Sequence, residues 1–130
     1  MKIYIATRLE NNGLASKLRT VILSLGHEIS YDWINHGSIR EKGSDLLTQT
    51  ARHELEGVRT ADLVIVLLPG GRGTHVELGA ALTFRKNVLI WSSDEFFFMD
   101  NEDTCVFYWF PGVIRLTGPI EDLFYYLSIL

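Results

Sequence analysis

The sequence predicts an α/β fold, a doubly wound five-stranded parallel sheet in a flavodoxin-like or Rossmann-like three-layer sandwich, and three observations carry that prediction. The run Asp62-Leu63-Val64-Ile65-Val66-Leu67-Leu68 is apolar without alternation, as a central parallel strand covered on both faces requires. Segments of helical period separate the apolar runs, so strands and helices alternate along the chain. The stretch Pro69-Gly70-Gly71-Arg72-Gly73-Thr74-His75-Val76-Glu77-Leu78 then puts a glycine-rich turn, a helix start and a carboxylate directly behind the apolar strand. That is where an open α/β sheet keeps its ligands.

The elements follow in order. Residues 2–7 form a first strand, and residues 12–25 a helix with Leu14, Leu18, Val21, Ile22 and Leu25 on one face and Gly26 as its stop. Residues 27–33 alternate and are expected as the second strand. The polar segment 34–43, with Gly37 and Gly43, reads as a loop able to fold over a site. A helix over 44–59 opens with Ser44 or Asp45 and carries Leu46, Leu47, Ala51, Leu55 and Val58. The strand over 62–68 follows, then a helix over 74–85 capped by Thr74 or Gly73 with Glu77 in its first turn, and a strand over 87–91. After a long connection, 113–116 is the fifth strand and 119–130 the closing helix, with Pro119 suited to its first turn.

A chain of 130 residues with 47% hydrophobic content is expected to be a single domain over 1–130 with one core. The net charge of −4 excludes a nucleic-acid polymer as partner, because binding a phosphate backbone needs concentrated basic surface; small nucleotides stay open. The amino terminus lacks the apolar core of a signal peptide and no apolar stretch reaches membrane-spanning length, so a cytoplasmic protein without a membrane partner is expected. Cys105 is the only cysteine, which excludes intramolecular disulfides and cysteine-based zinc sites and reads as a buried thiol. The connection 92–112 holds Phe96, Phe97, Phe98, Phe107, Tyr108, Trp109 and Phe110. So much aromatic surface in one connection favours a homo-oligomeric interface, dimeric or larger, over a lid.

The glycine turn concentrates the candidate chemistry. Amides at the helix start, with Gly70, Gly71, Gly73 and Thr74 around them, suit a phosphate or another oxygen-rich ligand. Glu77 complements a helix dipole on the bland reading. On the functional one, its place in a ligand cleft lets it attack an anomeric carbon to form a glycosyl ester. Arg8, at the carboxyl end of the first strand, either holds a phosphate or balances Glu10, and Arg72 is a second phosphate candidate. His75 is a hydrogen-bond partner and a poor metal ligand, since no second His or Cys stands at ligand spacing; no metal and no cofactor are expected. Asp32 and Trp33 are candidates for a base pocket, while His27, His36 and His53 read as ordinary surface or loop histidines.

Three segments carry a resemblance: Ile3-Tyr4-Ile5-Ala6, then Glu54-Leu55-Glu56-Gly57-Val58-Arg59-Thr60-Ala61-Asp62, then Gly73-Thr74-His75-Val76-Glu77-Leu78-Gly79-Ala80-Ala81-Leu82. In element order and length the chain resembles the nucleoside 2-deoxyribosyltransferase family, which includes deoxynucleoside 5′-monophosphate N-glycosidases. The resemblance implies that Glu77 is the nucleophile that takes the deoxyribosyl group, that Tyr4 lies beside it, and that Glu54 stands where an aspartate usually contacts the ligand. It implies shared sites between subunits, with Asp103 or Thr104 near the position of the residue that reaches a neighbour's sugar. Ala6, Arg8, Gly70, Gly71, Arg72, Gly73, Thr74 and Asp103 are accordingly the substrate-binding candidates.

One departure stands out. Six residues before the nucleophile the transferases carry an aspartate that serves the base and the monophosphate hydrolases a serine, whereas this chain has Gly71. Residues 69–77 also resemble the Pro-Gly-Gly-x-Gly-Thr-x-x-Glu motif of cytokinin-activating nucleoside 5′-monophosphate phosphoribohydrolases, a local match, because Thr7-Arg8-Leu9-Glu10 supplies no glycine-rich turn. Both resemblances imply cleavage or transfer at the N-glycosidic bond of a nucleoside or its 5′-monophosphate. The alternative is a nucleotide-binding module without turnover, with Glu77 touching ribose hydroxyls only; flavin binding is weaker, as the first loop lacks a Ser- and Thr-rich phosphate cradle.

Overall fold

A computed structural model describes all 130 residues. Five strands, β1 (Lys2–Ala6), β2 (Glu28–Ile29), β3 (Leu63–Leu67), β4 (Asn87–Ser92) and β5 (Ile114–Thr117), pair in parallel in the order β2-β1-β3-β4-β5. Four helices connect or close them: α1 (Asn12–Ser24), α2 (Ser44–Thr60), α3 (Arg72–Thr83) and α4 (Ile120–Ser128). Helix α1 meets α4 and helix α2 meets α3, which gives two helical layers around the sheet. All five residues of β3 are buried, the unalternating pattern of a strand covered on both sides. Chain direction along the sheet reverses between β1 and β3, so the loops leaving these two neighbours open a crevice at their carboxyl ends.

Several boundaries differ from the sequence pattern for identifiable reasons. The second strand covers only Glu28–Ile29, not 27–33. Beyond it, Ser30 N–H bonds Ile3 O, and the Trp33 indole N–H reaches Ile5 O at 2.7 Å, so a side chain takes over where a strand would have paired. Helix α2, by contrast, opens at Ser44 as expected, with Gly43 just outside it at φ 98°, a left-handed value that a glycine adopts without strain. Helix α3 starts earlier than expected: Gly71 is its cap, and Thr74 Oγ1 accepts the Gly71 N–H at 3.0 Å from the third helical position. Glu77 therefore sits in the second turn, not the first. Pro119 caps α4 from just outside it, and Cys105 is half-buried rather than buried.

Side bonds tie the two crevice loops together. Thr7 Oγ1–H donates to Leu67 O at 2.7 Å, and Asn11 Nδ2 donates to both Thr7 Oγ1 and Pro69 O. The buried core runs through Ile3, Ile5, Leu18 and Ile22 on the α1 side. On the other side Gly57 of α2 lies against Tyr4: a Cβ there would stand 2.6 Å from Tyr31 Cβ and 3.0 Å from the Tyr4 ring. Gly57→Ala is therefore expected to lower stability by about 1–3 kcal/mol, the usual range for overpacking, and urea unfolding followed by tryptophan fluorescence measures it. An unchanged midpoint would show that α2 can move off Tyr4 freely.

Candidate active site

A cleft of about 360 Å³ lies at the β1/β3 reversal. Its floor comes from both loops, with Thr7 and Arg8 after β1 and Gly71, Arg72, Gly73 and Thr74 after β3. Helix α2 contributes Leu47, Thr50, Ala51 and Glu54, a stripe of helical spacing that presents one face to the opening. The segment after β2 closes the far side with Trp33, His36 and Arg40 among others. Glu77 reaches the cleft from α3 and is 93% shielded, being 7% exposed.

Tyr4 and Glu77 meet beneath this opening. The fully buried Tyr4 OH donates to Glu77 Oε2 at 2.5 Å, joining the middle of β1 to the second turn of α3. Alternation along β1 puts Ala6 on the same side of the sheet as Tyr4, and both are fully buried. Burial holds the Glu77 carboxyl well above the usual carboxylate range; the Tyr4 hydrogen bond opposes that rise, and the neighbouring Glu54 adds to it. Glu54 is also raised, chiefly by burial, while His36 and the hydrogen bond with Glu77 pull it down. The two carboxyls raise or lower each other's proton affinity, and Tyr4, raised by burial and then by Glu77, stays a phenol. The trio thus offers two neighbouring carboxyls and a fixed donor.

The other candidates divide. Arg8, Gly71, Arg72, Gly73 and Thr74 line the cleft; Ala6, Gly70 and Asp103 do not. Gly70 lies flat on α3, where a Cβ would stand 2.7 Å from Thr74 Cγ2. Asp103 is on the surface of the aromatic connection. Arg8 approaches Glu10 at 4.0 Å, an exposed pair that leaves the guanidinium available. A Cβ at Gly71 would face Arg8 Cβ at 3.4 Å, so the missing side chain leaves room beside that arginine. Asp32 is turned away, held by Arg19 at 2.7 Å, while Trp33 does line the cleft. His75 links Gly71 O to the Tyr108 hydroxyl, each at 2.7 Å, and Tyr108 is pushed up to about 12 by burial.

His36 is the residue that the sequence reading missed. It lines the cleft, and its Nδ1 bonds Gly37 O at 2.8 Å while its buried Nε2 has no partner. A lone histidine in a polar loop gives no sequence signal for this; only its distance of 32 residues from Tyr4 in a chain that folds back could have been noted. No group of three or more His, Cys, Asp or Glu side chains is placed to hold a metal ion. No helix is long and apolar enough to cross a membrane.

Comparison with known proteins follows the same lines. The family model of nucleoside 2-deoxyribosyltransferase matches residues 3–106. No curated protein matches in sequence. Among solved structures, the Clostridium botulinum CMP N-glycosidase BcmB superposes with a TM-score of 0.67 at 15% identity, covering 98% of this chain and 99% of that one, a likeness of fold. The 2-deoxyribosyltransferase of the psychrotolerant bacterium Bacillus psychrosaccharolyticus gives 0.62 at 25% identity, over 71% of this chain and 72% of that one. The family match runs from β1, through the helices that carry Glu54 and Glu77, into the aromatic connection, and on that span the chain belongs to the nucleoside 2-deoxyribosyltransferase family of enzymes.

Proposed function

We propose that this protein cleaves or exchanges the N-glycosidic bond of a deoxynucleoside or nucleoside, or of its 5′-monophosphate, with Glu77 as nucleophile. The observation that carries this reading is the buried Glu77 carboxyl held by Tyr4 and lining one cleft together with Glu54. A carboxylate stripped of water is a stronger nucleophile, and a neighbouring neutral carboxyl is a proton donor. Glu77 attacks the anomeric carbon, the carbon–nitrogen bond breaks, and the Glu54 proton goes to the departing base nitrogen. Glu54, now a carboxylate, takes a proton from water or from an acceptor base as that group attacks the glycosyl ester, and Glu77 leaves as a carboxylate.

Arg8 and Arg72, beside the first-turn amides of α3, form the end of the cleft that suits a 5′-phosphate. The surface of the connection supports a homo-oligomer: Val106 is 75% exposed and Phe107 and Trp109 each 51%. Such a patch is covered well by a second copy, whose Asp103 then reaches toward a neighbouring cleft. One observation favours a binding module without turnover, the absent side chain at Gly71. Release of free base from a panel of deoxynucleosides and their monophosphates, read by chromatography, separates the two readings.

Glu77→Gln keeps the side-chain volume and removes the nucleophile, so turnover is expected to fall by roughly three orders of magnitude or more in a folded protein. Near-normal base release by that variant would remove Glu77 from the chemistry. The pH dependence has a definite sign. Glu77 must be charged, and its raised proton affinity makes activity climb with pH through an apparent value above that of an ordinary carboxylate. Tyr4→Phe deletes the bond that lowers it, so the acid limb of the kcat/KM profile moves to higher pH; a limb that stays in place means that Tyr4 does not govern Glu77. Finally, Arg8→Ala is expected to raise KM for a monophosphate about tenfold and to leave KM for the free nucleoside nearly unchanged. Equal losses on both substrates would make Arg8 structural.

A further inference from the structure

The glycine turn has little of its own to hold it in place. Gly70 and Gly71 bring no side chains, and the bonds from Thr7 and Asn11 reach only to Leu67 O and Pro69 O. Beyond them the Gly71 backbone is fixed from α3. Thr74 Oγ1 accepts the Gly71 N–H at 3.0 Å, and the Gly71 carbonyl is met by His75 Nδ1 at 2.7 Å. A carbonyl can only accept, so Nδ1 carries the proton, and in the neutral ring Nε2 is then an acceptor. The Tyr108 hydroxyl donates to it at 2.7 Å.

Tyr108 is itself firmly seated. It is buried, Phe98 meets its ring edge-on at 6.0 Å, and Arg115 of β5 donates to its carbonyl at 2.9 Å. A chain of bonds therefore runs from the edge strand through Tyr108 and His75 to the Gly71 carbonyl. The imidazole also lies against the turn, since a Cβ at Gly70 would stand 3.2 Å from His75 Cε1. Peptide geometry carries the effect into the cleft. The bond between Gly71 and Arg72 is trans, so its carbonyl and its N–H point in opposite directions. With the carbonyl drawn onto α3, the Arg72 N–H is aimed outward at the helix end, where first-turn amides have no intrahelical acceptor.

We propose that His75 is a positioning residue for the anion-binding end of the cleft: seated by Tyr108, it holds the Gly71 carbonyl and so keeps the Arg72 amide aimed at a 5′-phosphate. This rests on the reading that the end formed by Arg8 and Arg72 takes a phosphate, and on no step of the bond cleavage. His75 and Tyr108 are not among the residues that line the cleft, whereas Gly71, Arg72, Gly73 and Thr74 are. The aromatic connection thus contributes to ligand affinity without reaching the ligand.

Binding constants separate this role from a structural one. In Glu77→Gln protein, where binding is read apart from turnover, calorimetry measures each of the four deoxynucleoside 5′-monophosphates and the matching free nucleosides. His75→Leu keeps bulk against Gly70 and lacks both nitrogens, and is expected to weaken monophosphate binding about tenfold but nucleoside binding less than about twofold. His75→Asn, whose amide nitrogen takes the place of Nδ1, is expected to bring monophosphate binding back to within about threefold. Tyr108→Phe removes only the hydroxyl and serves where a His75 variant fails to fold; a loss of about threefold, again confined to the monophosphate, is expected. Nitrogen NMR of the unaltered protein is expected to show the His75 ring protonated at Nδ1. Unchanged monophosphate binding in both His75→Leu and Tyr108→Phe, equal weakening of both ligands, no recovery in His75→Asn, or a ring protonated at Nε2 alone overturns the proposal. If the protein with His75 and Tyr108 intact holds the monophosphate no more tightly than the nucleoside, the phosphate reading falls and the proposal with it, an outcome visible before any variant of either residue is made.

Discussion

The hydrogen bond from Tyr4 to Glu77 is the interaction on which this structure turns. A carboxyl buried this deeply is held far above its usual proton affinity, and an isolated one would stay neutral and chemically idle. One donor from the middle of the sheet supplies the opposing influence. To place that donor, β1 must sit beside β3, α3 must cross over β1, and α2 must come close enough for Gly57 to touch the phenol. The fold can therefore be described as the set of constraints that brings one phenol to one carboxylate.

Around that contact the charges are arranged by depth. The acidic pair lies at the bottom, where low polarity makes the two carboxyls compete for a proton. The arginines lie nearer the rim and keep their hydration. On the proposed reading, an anionic group at the rim and an uncharged polar part beneath it match this gradient. His75 stands outside the cleft with both nitrogens engaged, tying the glycine turn to the aromatic connection through Tyr108.

Much of this was legible in the residues, and what was not has physical causes. The apolar run 63–68 and the glycine turn announced a central strand and a loop at the cleft because both depend on local composition. The start of α3 was misplaced since Thr74 is a good cap by type; in space it caps from the third helical position, and Gly71 takes the first place. The second strand was overextended because alternation continues through Trp33, while the indole N–H replaces the ladder there. Asp32 looked like a pocket residue until Arg19 claimed it, and His36 looked ordinary because an unsatisfied atom is a property of three-dimensional surroundings. Pairings between distant residues are the part that a one-dimensional pattern does not encode.

The bonds from Thr7 to Leu67 and from Asn11 to Pro69 have one more consequence. They make one wall of the cleft a rigid jig, with the loops after β1 and β3 held at fixed distances from each other. The opposite wall is built differently: across residues 37–43 the one backbone bond internal to the segment runs from Lys42 to Ile39. Changes of sequence there alter what the wall accepts without touching the jig. In this architecture the shape of the cleft can drift through that stretch while the Tyr4–Glu77 contact stays put, so on the proposed reading a new substrate range requires no redesign of the chemistry.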